Sequence, residues 1–169
     1  TATLSDDSNN YVLNGQKIYI TNAAWASVCV TFAEVNDKYT AFIIDKSCKG
    51  WKIGSEEKKL GIKGSSTCTI YFENCTVPKE NVLGEVGEGA AIAFNCLYTG
   101  RYKLGVSAVS GAKNALNNSL EWAFEREQFE HPISDFGMIQ EKFANMITRL
   151  WEADNLIYMT TGSIDSSLE

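Results

Sequence analysis

A chain of 169 residues, 44% of them hydrophobic, is long enough for one ordinary domain or two small ones with a real core, which excludes intrinsic disorder. Fifteen basic residues against 21 acidic ones give a net charge of −6 and argue against a binder of phosphate backbones, so no nucleic-acid partner is expected. A single histidine, His131, argues against His-based metal sites and Ser-His-Asp chemistry, and no metal is expected.

The charge is unevenly placed. Through Gly84 the chain carries nine residues of each sign, and beyond it six basic against twelve acidic, an asymmetry that suggests two units. Five cysteines (Cys29, Cys48, Cys68, Cys75 and Cys96) are odd in number, lack CxxC spacing and lie mostly in apolar stretches. They read as reduced, buried thiols, which implies a cytoplasmic or organellar-matrix setting. With no 18-residue apolar run and no basic-then-apolar start, neither a membrane span nor a signal peptide is expected. The first residue is Thr1 rather than Met, and the chain reads as a piece excised from a longer protein.

From Tyr11 to Pro78, short β-rich runs alternate with turn chemistry. Asn14-Gly15, between Tyr11-Val12-Leu13 and Lys17-Ile18-Tyr19-Ile20, predicts a hairpin, since both central positions of a type I′ turn need positive φ. Val28 to Val35 and Tyr39 to Ile44 predict two strands joined by a tight connection at Asn36-Asp37-Lys38. Thr67 to Phe72 alternates two unlike faces, the period-two pattern of a strand, which Pro78 ends. Strands at this spacing without intervening helices imply an antiparallel sheet or small barrel.

After Gly84 the pattern changes. Glu85 and Glu88 suit a helix N-terminus, and Ala90 to about Arg126 holds no proline, predicting one helix of roughly 55 Å at ~1.5 Å per residue. Gly100, Gly105 and Gly111 each cost about 1 kcal/mol inside it, so close packing is expected to compensate. His131-Pro132 falls in a loop. Ile139, Phe143, Met146, Ile147, Leu150 and Ile157 recur at helical spacing, predicting a second, antiparallel helix whose stripe drives association where nothing covers it. The fold class is therefore α+β in two parts: an antiparallel β-domain over 1–83, then a long-helix α-hairpin from a helical bundle over 84–169.

Few residues carry chemistry on these grounds alone. Gly84, Gly87 and Gly89 run G-x-x-G-x-G, reversed from the dinucleotide fingerprint, and read as the flexible start of a helix. Glu121, Glu125, Glu127 and Glu130 read as a solvated face. Arg126 among them is either ion-paired or positioned for an anionic ligand. Arg101, between Gly100 and Tyr102 on an apolar helix, faces water or a ligand.

At these residues the sequence resembles the acyl-CoA dehydrogenase family over nearly its whole length. The strings that carry the resemblance are LNGQKIYITNAAWAS, EEKKLGIKGSSTCTIYFENCTVPKENVLGEVGEG, GRYKLGVSAVSGAKNAL, and EREQF followed by FGMIQEKFANM. The last is most similar to the very-long-chain branch. The resemblance implies the family's middle β-domain, incomplete at its N-terminus, joined to the first two helices of its C-terminal bundle. It implies α,β-dehydrogenation of an acyl-CoA in fatty-acid oxidation, with FAD as cofactor, an electron-transfer acceptor protein as partner and a homo-oligomeric parent. An acyl-CoA oxidase, or a non-catalytic scaffold or assembly factor on the same fold, are the alternatives.

Residue by residue, the resemblance places Tyr19, Ile20 and Thr21 at the family's Trp-Ile-Thr or Trp-Ile-Ser, the strand against the isoalloxazine ring. Arg126, with Gln128 and Phe129, corresponds to the arginine motif that reaches the FAD pyrophosphate of a neighbouring subunit, and Phe136 and Gly137 to its adenine-side contact. Tyr98 and Arg101 fall on the path of the bound substrate. Three positions depart from the pattern: Tyr19 replaces Trp, Tyr98 replaces Asp and Glu130 replaces Gly. The catalytic base is expected outside this chain, and Gly100 stands where a minority of members place a glutamate. By itself the piece is expected to be inactive.

Overall fold

The structure, a computed structural model, describes residues 1–168. The chain divides into two compact units, Thr1–Asn95 and Cys96–Glu169.

The first unit holds seven strands: β1 (Ala2–Leu4), β2 (Asn10–Thr21), β3 (Val28–Val35), β4 (Lys38–Asp45), β5 (Trp51–Glu56), β6 (Thr67–Pro78) and β7 (Val82–Leu83). They form a four-stranded antiparallel sheet in the order β1-β2-β6-β5 and a three-stranded antiparallel sheet in the order β3-β4-β7. The core lies between the sheets. Leu13, Ile70, Phe72 and Val77 from one meet Phe42 and Ile44 from the other, all nearly or fully removed from water. Tyr11 meets Phe42 edge-on at 5.2 Å and Trp51 meets Phe72 at 5.9 Å, the geometry that the ring quadrupole favours. In β6 the expected alternation holds, with Cys68, Ile70 and Phe72 buried and Tyr71 exposed.

The Asn14-Gly15 hairpin is corrected. β2 runs unbroken from Asn10 to Thr21 along β6, and Asn14-Gly15 sits at a bulge within it. Leu13 faces Cys75 and Gly15 faces Phe72, so Glu73 and Asn74 together oppose Asn14. The tight connection expected between β3 and β4 is present at Asn36-Asp37, where both residues are left-handed (φ +49° and +62°) as a type I′ turn requires. Of the thiols, Cys68 and Cys75 are buried, Cys29 and Cys48 half-buried, and all five are free. Cys96 is exposed, against expectation, because it lies on a helix side open to water.

α1 spans Gly89–Glu125 and α2 spans Gly137–Leu168. The start of α1 is seated rather than flexible: a Cβ on Gly89 would stand 2.8 Å from the Tyr39 carbonyl oxygen, and the Gly87 N–H donates to Thr40 Oγ1 at 3.1 Å. Between the helices, the Tyr102 and Thr161 hydroxyls share a 2.5 Å hydrogen bond and Lys113 Nζ donates to Asp154 Oδ1 at 2.7 Å, fixing an antiparallel register. That contact holds the Lys113 ammonium above its ordinary pKa. Gly105 lies against Ile157, as its packing cost demands, whereas Gly100 and Gly111 have open space where a Cβ would go. Ile139, Phe143, Leu150 and Ile157 are half-buried, but Met146 and Ile147 remain 45% and 49% exposed. A groove of ≈ 480 Å³ runs between the helices, lined by Val109, Ala112, Leu116, Met146 and Leu150 among others.

Candidate functional site

The end of β2 departs from a regular strand for a structural reason. Lys17 faces Ile70 while Ile20 faces Cys68, so Ile18 and Tyr19 together oppose Thr69, and this second bulge turns Tyr19 to φ +55°. Its ring is 68% exposed, and Thr21 at the strand's last position is exposed too, while Ile20 packs toward the core. The chain then turns at Asn22 (φ +62°), whose carbonyl accepts from the Trp25 and Ala26 N–H groups at 3.0 and 2.8 Å. An exposed aromatic plate beside an exposed hydroxyl suits the edge and face of a planar polar ring.

β5 carries a matching bulge, where Gly54 and Ser55 also oppose Thr69. Its last residue, Glu56, reaches the start of β6: the Ser66 hydroxyl donates to Glu56 Oε1, and the Thr67 N–H donates to Oε2 at 2.9 Å. These bonds hold the Glu56 carboxyl below the usual range, the Ser66 hydroxyl contributing most and the Thr67 amide next. Lys59 Nζ donates to the Ser65 carbonyl and to Thr67 Oγ1, the latter at 2.9 Å. The sequence reading missed this network. Its one available signal was the pair of hydroxyls, Ser66-Thr67, that opens a strand after a charged loop.

A second cluster forms at the corner between the helices. Arg126 follows the last turn of α1, its N–H donating to the Trp122 carbonyl and its own carbonyl accepting from the Ile133 N–H, each at 2.8 Å. The main chain is pinned while the side chain stands exposed. Two further strands, β8 (Glu127–Gln128) and β9 (His131–Pro132), make a hairpin whose turn residues Phe129 and Glu130 are both left-handed, at φ +55° and +68°. Gln128 Nε2 donates to the Glu127 carbonyl at 2.7 Å. Phe129 meets Phe136 edge-on at 6.3 Å, and the Phe136 carbonyl accepts from the Ile139 and Gln140 N–H groups as α2 begins at Gly137. Arg126, Gln128, Phe136 and Gly137 therefore belong to one corner. Tyr98 and Arg101 share an exposed side of α1, some 25 residues before it, or roughly 38 Å along the axis. Among the described residues no cluster of three or more His, Cys, Asp or Glu is placed to hold a metal ion.

These features lie within two matched family models: the acyl-CoA dehydrogenase middle domain over residues 1–75 and the acyl-CoA dehydrogenase C-terminal domain over residues 87–167. The chain belongs to the acyl-CoA dehydrogenase family. It is 45% identical to a probable acyl-CoA dehydrogenase of Bacillus subtilis over 169 residues, covering 99% of this chain and 28% of that protein. It is 37% identical to the mitochondrial very long-chain specific acyl-CoA dehydrogenase of Mus musculus, covering 94% and 26%. Among solved structures, the acyl-CoA dehydrogenase complexed with FAD from Bacillus anthracis superposes with a TM-score of 0.86 at 48% identity, covering 95% of this chain and 28% of that one. The chain thus spans little more than a quarter of the length of these relatives.

Proposed function

We propose that the protein containing this chain is an FAD-dependent acyl-CoA dehydrogenase, nearest the very-long-chain branch, that introduces an α,β double bond into an acyl-CoA thioester. The observation that carries this reading is the pairing of two surfaces with their family context: the exposed Tyr19-Ile20-Thr21 end of β2 in the middle domain and the pinned, outward Arg126 corner in the C-terminal domain. Flavin, when bound, supplies the hydride acceptor.

The residues present fit that group. The Tyr19 ring offers a face for the isoalloxazine and Thr21 a hydroxyl for its edge. Arg126 offers a forked cation for a pyrophosphate, contributed to another copy of the chain in a homo-oligomer, and Gln128, Phe136 and Gly137 frame the adenine side. Tyr98 and Arg101 line the path of the acyl-CoA. The domain boundary falls near Leu83/Gly84, and the base that removes the α-proton comes from residues outside 1–169. An electron-transfer protein reoxidises the flavin, in a cytoplasmic or organellar-matrix compartment; no helix among the described residues is long and apolar enough to cross a membrane.

The test is the full-length protein. It is expected to purify yellow, and anaerobic addition of acyl-CoA is expected to bleach the flavin, with slow return of colour in air. Arg126→Ala is expected to weaken FAD binding about 10- to 100-fold, the range for losing a charge-assisted hydrogen bond of roughly 1.5–3 kcal/mol. A protein that stays colourless with added FAD refutes the reading. Rapid peroxide release on reoxidation reassigns it as an oxidase, and FAD binding without bleaching as a scaffold.

A further inference from the structure

β2 holds Ile20 and Thr21 between two left-handed residues, Tyr19 and Asn22, neither of them glycine. Backbone of this kind is uphill in energy and persists only where its neighbours over-determine it. The neighbours here are three consecutive residues at the start of β6. Ile20 and Thr21 pair with Cys68 and Thr67 of β6, and the Asn22 N–H donates to the Ser66 carbonyl at 3.0 Å.

Ser66 and Thr67 are gripped in turn from the opposite edge of β6, where β5 lies. Ser66 is 4% exposed, so its hydroxyl requires an internal acceptor, and Glu56 supplies one while its second oxygen takes the Thr67 amide. The Glu57 N–H closes the same corner by donating to the Thr67 carbonyl at 2.9 Å. One carboxylate thus fixes Ser66 and Thr67, two of the three residues on which the end of β2 rests, and its low pKa keeps it an acceptor throughout the neutral range.

The geometry points to Glu56 and Ser66 as positioning residues for the flavin-facing end of β2: through Ser66 and Thr67 they set where the Tyr19 ring and Thr21 hydroxyl stand. The inference rests on the flavin reading above. It assigns a role to two residues away from the exposed pair, Ser66 at the start of the neighbouring strand β6 and Glu56 on β5 beyond it. Loss of either loosens β2 at Asn22, so bound flavin meets a displaced hydroxyl and a displaced ring, and its electronic environment changes along with its affinity.

The experiment compares the full-length wild-type protein with Glu56→Gln and Ser66→Ala by FAD titration, visible spectrum and flavin reduction potential, with circular dichroism to follow folding. Both variants are expected to bind FAD about tenfold more weakly, the scale of one charge-assisted hydrogen bond acting at second hand. They are also expected to shift the flavin absorption band and potential and to lower kcat, while KM for acyl-CoA stays within about twofold. Should Glu56→Gln fail to fold, Ser66→Ala, which removes a single hydroxyl, decides the question. Wild-type protein that binds no FAD overturns the flavin reading itself. If wild type binds FAD and the variants' flavin keeps its spectrum and potential, the positioning role is overturned, even where a variant melts earlier, since lost stability alone does not retune a bound flavin.

Discussion

Asn14 and Asn74 exchange hydrogen bonds across the β2–β6 pair: Asn14 Nδ2 donates to Asn74 Oδ1 at 3.1 Å, and the Asn74 N–H donates to Asn14 Oδ1 at 2.8 Å. Asn74 is itself left-handed at φ +50°. The amide pair satisfies the backbone that the bulge leaves out of the ladder. Asn14→Ala, which orphans the Asn74 amide, is expected to destabilise by about 1–2 kcal/mol. Asn74→Gly, which loses a side-chain bond but relieves the left-handed backbone, is expected to cost less. Urea unfolding of the two variants checks the order.

Glu130 stands left-handed in a two-residue hairpin turn, at a position where the family resemblance places glycine. Glu130→Gly is expected to stabilise the chain by roughly 0.5–1 kcal/mol, because a strained backbone is relieved where the side chain is exposed. Glu130→Val is expected to destabilise it by a similar or larger amount. A thermal melt of each variant against wild type reads the sign directly.

The helix glycines respond in opposite directions. Gly89→Ala would place a Cβ within 2.9 Å of Thr40 backbone atoms that cannot retreat without unpairing β4, so a loss of about 2–3 kcal/mol is expected. Gly111→Ala meets nothing within 4 Å and is expected to gain up to about 1 kcal/mol of helix propensity. Denaturant midpoints of the pair distinguish seating from mere flexibility at the start of α1.

Burial pushes the Cys75 thiol up to about 11 from 9.0. Because the folded value lies above the unfolded one, the neutral thiol's contribution is complete below pH 9 and is lost as pH rises toward 11. Cys75→Ala is therefore expected to unfold with a shallower pH dependence between 9 and 11 than wild type, whatever its stability at pH 7. Parallel melts across that range measure the difference in slope.

Much of the architecture was legible where local chemistry and tertiary context agree. The α1 boundaries, the β3–β4 pair and the alternation of β6 follow from proline placement, polar turns and period-two burial. The hairpin expected at Asn14-Gly15 shows the opposite case: Asn14-Gly15 is as competent for a left-handed turn as Asn36-Asp37, which does turn, and only pairing along β6 keeps β2 straight. β5 escaped notice because Gly54 and Ser55 interrupt its alternation at a bulge, and β8–β9 because two-residue strands carry no periodicity. At the candidate site, Tyr19, Thr21 and Arg126 were visible through resemblance. The grip of Glu56 on Ser66 and Thr67 was not, since residues ten and eleven positions apart meet only after two strands have bulged at the same level.

Trp122, Phe124, Trp151, Leu156 and Met159 all stand at least 60% exposed on the paired helices. Two rods cannot wrap apolar side chains that point outward in several directions, so water is left to solvate rings that are more stable against other hydrocarbon. The unfolding midpoint of these 169 residues by themselves is consequently expected to depend on their concentration, falling on dilution and rising as exposed side chains find partners in other copies.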